Sequence, residues 1–303
     1  MIIAIGEILH DIFPEYKRLG GAPFNFAAHL QAVGFPVVFA SRVGDDPDGR
    51  EIRSVLARRG FDPAYLQTDS DRPTGHVNVT LDHQGVPTFD IVRDVAYDHI
   101  EFTDALAGAV KTGPRLIYYG TLIQRTNNGF QTLRKMLAAR PPDTRCFYDI
   151  NLRPGCYSPA VIAESLRHCD VLKINDEELD AIRPMFDLER AEDADAAVGG
   201  LQDRFAIPWV CRTQGAAGSV LYTPEGRHAA AVGDAVRVVD TVGAGDAFAA
   251  VLAAGYLQRW RPETILRRAT RFAADLCGVA GAIPDDDRLY AEFQTWIRED
   301  VHE

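Results

Sequence analysis

The chain lacks most of what marks a membrane, secreted or nucleic-acid-binding protein. Its longest unbroken apolar run, Ala247 to Leu257, falls well short of the roughly 18 residues a spanning helix needs, so no membrane partner is expected. Cysteine is scarce and scattered. Cys146, Cys156, Cys169, Cys211 and Cys277 are odd in number and form no Cys-x-x-Cys pair, which points to free thiols rather than bridges or zinc. No run of Lys and Arg offsets the acid excess, 43 Asp and Glu against 32 Lys and Arg for a net charge of −11. That field repels a polyphosphate backbone, so a nucleic-acid partner is not expected either. The eight histidines form no His-x-x-x-His group and none adjoins a Ser or Cys nucleophile motif, which argues against a transition-metal site or a hydrolase triad. Internal repeats and low-complexity segments are missing, against solenoids and propellers. Met1-Ile2-Ile3-Ala4-Ile5-Gly6-Glu7 has no basic n-region, and an acid arrives before an apolar signal core is complete, so a cytoplasmic location is expected.

What is present is average globular usage, 47% hydrophobic and 25% charged over 303 residues, enough for one large α/β unit or two coupled lobes. Strand patterns at Ile2 to Ile5, Val37 to Ala40, Leu116 to Tyr119, Arg145 to Ile150, Asp170 to Ile174 and Trp209 to Arg212 alternate with helical stretches. The helices read as Pro23 to Val33, Arg50 to Arg59, Gly129 to Ala139, Pro159 to His168 and Glu263 to Val279. This order predicts parallel βαβ units in a doubly wound, mostly parallel sheet. One stretch breaks the rhythm: His76 to Leu81, a turn at Asp82 to Gly85, then Val86 to Val92 read as an inserted hairpin. A small second sheet over the carboxyl edges of the first would form a lid, because ligands of open α/β sheets bind there.

The sharpest constellation is Asp240-Thr241-Val242-Gly243-Ala244-Gly245-Asp246-Ala247-Phe248, running into a small-residue helix. Two glycines one residue apart let consecutive N–H groups converge, and the helix start adds its positive end, which makes an anion hole. Asp246 at the entry to that helix also suits a simple cap or first-turn acid. A P-loop is excluded, since no Gly-x-x-x-x-Gly-Lys-Ser/Thr occurs, and the glycine pair lacks the third Gly of a dinucleotide fingerprint. The protein-kinase His-Arg-Asp and Asp-Phe-Gly motifs are missing as well.

These residues resemble a known family. Asp240 to Phe248 looks like the C-terminal signature of the ribokinase-like, or PfkB, carbohydrate kinases, and Gly20-Gly21-Ala22-Pro23-Phe24-Asn25-Phe26-Ala27 resembles their N-terminal glycine-pair motif. Asn175-Asp176-Glu177-Glu178 is similar to the family's Asn-x-x-Glu, and Thr213-Gln214-Gly215-Ala216-Ala217-Gly218 to its Thr-x-Gly-x-x-Gly nucleotide segment. The resemblance covers nearly the whole chain. It implies one ribokinase-like domain over 1–303, with lid segments at about 10–20 and 72–95 inserted.

It also implies roles. Asp246 would be the base that takes a proton from a sugar hydroxyl, while the Gly243, Ala244 and Gly245 amides bind the transferring phosphoryl group, a step that needs alignment and charge stabilisation more than a strong base. Asp11, placed after the first strand, would bind sugar hydroxyls with Gly20, Gly21 and Asn25. Arg93 would close over the sugar or stay a solvated strand-end charge, and Arg153, within an Asn-Leu-Arg like that of bacterial fructokinases, would do the same or form a loop ion pair. On the ATP side the resemblance assigns Asn175, Glu178, Thr213, Gly215 and Gly218, with Glu178 reaching Mg2+ through water. The competing readings are a capped helix start for the first two and a plain turn for the last three. Asp240 and Val242 would hold a monovalent cation such as K+, unless Asp240 only caps its loop.

Gly6-Glu7-Ile8-Leu9, then Asp11-Ile12-Phe13-Pro14 and Gly-Gly-Ala-Pro, are most similar to bacterial fructokinases, which makes fructose the leading substrate. Alternatives are a 2-keto-3-deoxygluconate kinase, a ribokinase, a nucleoside kinase, or a non-catalytic sugar-binding relative. A phosphofructokinase is less attractive, because a second phosphate would want more lid cations than Arg72 and Arg93. A homodimer through the lid strands is a further implication of the resemblance.

Overall fold

Aliphatic runs bounded by helices set the architecture. The structure, a computed structural model, describes residues 1–81, 87–188, 190–232, 238–284 and 287–299. In chain order the first strands are β1 (Ile2–Ile5), β2 (Leu9–Ile12), β3 (Lys17–Gly20), β4 (Val37–Gly44), β5 (Leu66–Asp69), β6 (His76–Leu81) and β7 (Pro87–Ile91). They are followed by β8 (Leu116–Gly120), β9 (Arg145–Asp149), β10 (Val171–Asn175), β11 (Trp209–Thr213), β12 (Ser219–Thr223) and β13 (Gly226–Ala230). A nine-stranded sheet runs β13-β12-β11-β10-β9-β8-β1-β4-β5. It is parallel from β5 through β11, and the β12–β13 hairpin adds antiparallel at one edge.

Helices cover both faces, so strand residues are buried on alternate sides. Ile2 and Ala4 of β1 join one core with Phe24, Phe26 and the Ala244–Gln258 helix, while Ile3 and Ile5 join the other with Leu133 and Ile162. Burial on both sides is why these strands read as continuous apolar runs. The Ala244–Gln258 helix packs against Ala22–Ala32, and its fully buried Ala249, Ala250, Ala253 and Ala254 leave its backbone room to come close. Phe26 stacks on Tyr118 of β8 with ring centroids 3.8 Å apart.

After β1 the chain winds outward through β4 and β5, then returns to place β8 on β1's other side. That reversal opens a crevice at the carboxyl ends of β1 and β8, where open α/β sheets take their ligands. Over it lies a four-stranded sheet, β3-β2-β6-β7. Buried polar groups fix its long segment at both roots. Asp46 accepts from the Thr74 N–H and hydroxyl, each at 2.7 Å, and buried Arg125 donates to Asp98 at 2.6 and 2.7 Å and to the Val92 carbonyl at 2.7 Å.

The strand alternation and the inserted hairpin match expectation, although the turn at Asp82 to Gly85 and Val86 lie outside the described residues. Boundaries moved. The second helix is Pro47–Arg58 because Asp46 caps it by accepting from the Gly49 N–H; β4 continues to Gly44; the helix expected at Glu263 to Val279 is Pro262–Cys277. Asp11, expected after the first strand, lies on β2. All five cysteines are unpaired. Among the described residues no helix is long and apolar enough to cross a membrane.

Phe26→Ala should destabilise the fold by about 3–5 kcal/mol, the usual cost of deleting a buried aromatic. Urea unfolding checks this, and a change below about 1 kcal/mol would mean that the helix and β8 are held together by something else.

Candidate active site

A cleft of about 710 Å³ separates the lid from the carboxyl edge of the main sheet. Asp11, Gly20, Gly21 and Arg93 line it from the lid side, Asn25 and Arg153 from the body, and Val242, Gly243, Gly245 and Asp246 from the glycine loop. Residues spread from position 11 to position 246 thus share one cavity.

Asp246 lies in the first turn of the Ala244–Gln258 helix, and its Oδ2 accepts from Asn25 Nδ2 at 2.8 Å. One side of the residue faces the cleft, yet burial lifts its carboxyl from 3.8 to about 7. The nearby Asp149 charge adds to the rise, against the Asn25 hydrogen bond and the cations Lys173 and Arg153. Gly243 has φ 80°, and a Cβ there would come within 2.4 Å of Ala282 Cβ, so loop geometry alone demands glycine. Gly245 is different: an added Cβ would meet only Lys173 Nζ, at an ordinary 3.5 Å. Among the described residues no close contact forbids a side chain there, and its absence leaves the backbone open to the cleft. The Ala244 N–H is turned to the Thr241 carbonyl at 3.3 Å, and Ala244 does not line the cleft.

On the lid side, burial raises the Asp11 carboxyl to about 6, with Arg153 and Arg18 pulling it back. Arg93 donates to the Gly155 carbonyl at 3.0 Å, tying the end of the lid to the loop after β9; it is not simply a solvated charge. Arg153 donates to Leu152 O at 3.2 Å. It lines the cleft, where its charge acts on Asp11 and Asp246.

The residues assigned to ATP do not line this cleft but continue its edge. Asn175 and Thr213 are register partners at the ends of β10 and β11. Asn175 and Glu178 form a reciprocal cap: Asn175 Oδ1 accepts from the Glu178 N–H at 2.8 Å, and Glu178 Oε2 from the Asn175 N–H at 2.9 Å. Glu178 Oε1 accepts from the Leu152 N–H at 3.0 Å. The helix-start reading of this pair is therefore realised, and a hydrated ion would meet Glu178 through water rather than by direct ligation. Gly215 opens the short turn after β11 and Gly218 closes it.

Asp240 accepts hydrogen bonds on both carboxylate oxygens. Its Oδ1 accepts from the Val242 N–H at 3.0 Å, and its Oδ2 from the Gly281 N–H at 3.1 Å and from Arg18 Nη1 at 2.5 Å. Three N–H donors, one of them cationic, surround the carboxylate that the resemblance offers to a monovalent ion, so an ion at Oδ2 would compete with a guanidinium already in place. Val242 lines the cleft.

Sequence reasoning missed the polar layer beneath the site. Lys173 lies between Asp149 Oδ1 and Oδ2, 3.0 and 3.2 Å away. Burial works against its ammonium, but Asp149 and Glu178 outweigh it and the net shift is upward. Glu7, directly after β1, is buried with Oε2 unpartnered among the described residues; burial pushes its carboxyl up. The available signal was a charge inside an aliphatic strand, as in Val171-Leu172-Lys173-Ile174, where a purely structural core would place none.

A sheet-edge crevice under a β-lid, with a carboxylate at the head of a glycine loop, defines a phosphoryl-transferring α/β enzyme. Residues 15–288 match the family model described as pfkB family carbohydrate kinase, and the chain belongs to that family. It is similar to a fructokinase of Klebsiella pneumoniae, 30% identical over 292 residues and 91% of each chain. Its fold resembles an uncharacterized sugar kinase from Pyrococcus horikoshii solved in complex with ATP, with TM-score 0.80, 24% identity, and 98% and 100% of the two chains covered. It also resembles a fructokinase from Vibrio cholerae solved in fructose, ADP and calcium ion bound form, with TM-score 0.77, 24% identity, and 96% and 97% covered.

Because the folded carboxyl of Asp246 holds its proton to about pH 7 and an unfolded one releases it near 3.9, the folded state binds more protons between these values. This group's contribution to stability therefore falls as pH rises through that window. Asp246→Asn should melt above the wild type at pH 8, with the gap narrowing toward pH 5. A variant that melts lower at pH 8 would contradict the raised carboxyl.

Proposed function

We propose that the enzyme transfers the γ-phosphoryl group of ATP to a primary hydroxyl of a neutral sugar, with fructose converted to fructose 6-phosphate. The observation that carries this is Asp246 standing between the glycine loop and the polar lid wall, oriented by Asn25 at 2.8 Å. In the reaction the sugar oxygen bonds to Pγ, the bond from Pγ to the departing ADP oxygen breaks, and the hydroxyl proton passes to the Asp246 carboxylate. With a conjugate acid near 7, Asp246 is ionised often enough at neutral pH to accept that proton and basic enough to keep it. The Gly243 and Gly245 amides and the helix start stabilise the equatorial oxygens.

Asp11 and Asn25 hold sugar hydroxyls, and Arg93 and Arg153 close the cleft around them. The ATP lies along the edge beside Asn175, Thr213 and Gly215. A magnesium ion, held through water by Glu178, supplies charge neutralisation on the phosphates. Fructose is favoured by similarity to curated fructokinases. The acids Glu7, Asp11 and Asp246 in the cleft wall suit a neutral sugar better than a sugar acid.

Asp246→Asn should lower kcat by more than about a thousandfold with little change in KM for ATP, since the amide keeps shape but cannot take the proton. A variant keeping over about a tenth of kcat, a barrier change under about 1.4 kcal/mol, would remove Asp246 from the role of base. Asp11→Ala should raise KM for fructose about tenfold, and KM for ATP much less, by deleting a hydroxyl contact. Equal effects on the two substrates would overturn the division of the cleft.

A further inference from the structure

The lid reaches the glycine loop through one side chain. Arg18 and Asp11 are register partners on β3 and β2, yet Arg18 extends past the sugar wall to Asp240, where its Nη1 lies 2.5 Å from Oδ2. Its guanidinium packs over the stacked rings of Tyr16 and Phe13, 4.9 and 5.7 Å from their centroids. The arginine is thus held in place by a lid shelf of its own. Asp240 in turn joins the Val242 and Gly281 N–H groups, and the turn at Gly281 and Ala282 is the surface on which Gly243 rests.

We propose that Arg18 is a positioning residue that supplies, from the lid, the fixed positive charge holding Asp240 and the loop of phosphoryl-binding amides, and so makes a monovalent cation dispensable. The guanidinium neutralises Asp240, 16% exposed, and so cancels the carboxylate's negative field at the Gly243 and Gly245 amides. A free ion at Oδ2 would have to displace a guanidinium tethered to the protein at 2.5 Å. Its planar fork and aromatic shelf are features that lysine would not reproduce. A lid that moves away withdraws this charge, so order in the loop is tied to closure over the sugar. The inference rests on phosphoryl transfer at this loop.

The test compares potassium, sodium and tetramethylammonium at constant ionic strength, with magnesium fixed. Wild-type kcat for fructose phosphorylation should vary by less than about twofold among the three. Arg18→Ala should fall about tenfold or more in tetramethylammonium and recover most of that loss in potassium. A wild-type enzyme that loses about tenfold without potassium overturns the inference. So does an Arg18→Ala variant that is unimpaired in all three ions, or one that is impaired and rescued by neither potassium nor sodium. Melting temperatures without substrate give a second readout independent of turnover: potassium should leave the wild type unchanged and raise Arg18→Ala, and the reverse pattern overturns the proposal. If the substrate is not fructose, the melting arm still decides, so the two readings fail separately. Should Arg18→Ala not fold, Arg18→Met, which keeps the stem on the aromatic shelf, takes its place in both arms.

Discussion

One hydrogen bond, from Asn25 to Asp246, joins the two sequence motifs that make the site. It requires the start of the Ala244–Gln258 helix to lie beside the first turn of Ala22–Ala32, which in turn requires small residues along the contact. The run of alanines that resembles a membrane segment in composition is what permits this approach. A bulky side chain at Ala250 or Ala254 would separate the helices and take Asp246 away from its partner. Packing of an apolar face thereby determines the protonation chemistry of a carboxylate.

The sheet supplies the rest of the geometry. Its winding reverses between β1 and β8, and the small sheet lies over the carboxyl ends there, with Leu9, Val77 and Val79 packed into the core beneath. Along that edge the polar groups follow strand order, with Thr213 on β11, then Asn175 and Lys173 on β10, Asp149 on β9, and Glu7 after β1. Lys173 offsets part of the negative charge that Asp149, Glu178 and Asp246 bring to this layer.

Much of this was legible in the residues themselves. Parallel strands such as Ile2–Ile5 and Leu116–Gly120 announce themselves because both faces are buried, and the glycine loop is visible because its geometry restricts residue choice. The lid strands β2 and β3 are short, with one side facing the cleft, so Leu-His-Asp-Ile and Lys-Arg-Leu-Gly carry no period that marks them as strands. Asn175 and Glu178 show another limit: a capping box and a nucleotide motif use the same residues at the same spacing, and only the hydrogen bonds reveal that the cap is made. The reach of Arg18 to Asp240 crosses most of the chain length, a contact no local pattern encodes.

The destination of the phosphoryl group decides what Asp246 and the glycine loop do. Phosphorus NMR of the purified enzyme with ATP, magnesium and fructose follows every phosphorus atom at once. The expected result is one new phosphomonoester signal, that of fructose 6-phosphate, growing in step with ADP. Release of ADP with inorganic phosphate alone, or an ester at a position other than the primary 6-hydroxyl, would contradict the placement of Asp246 between the amide loop and the sugar.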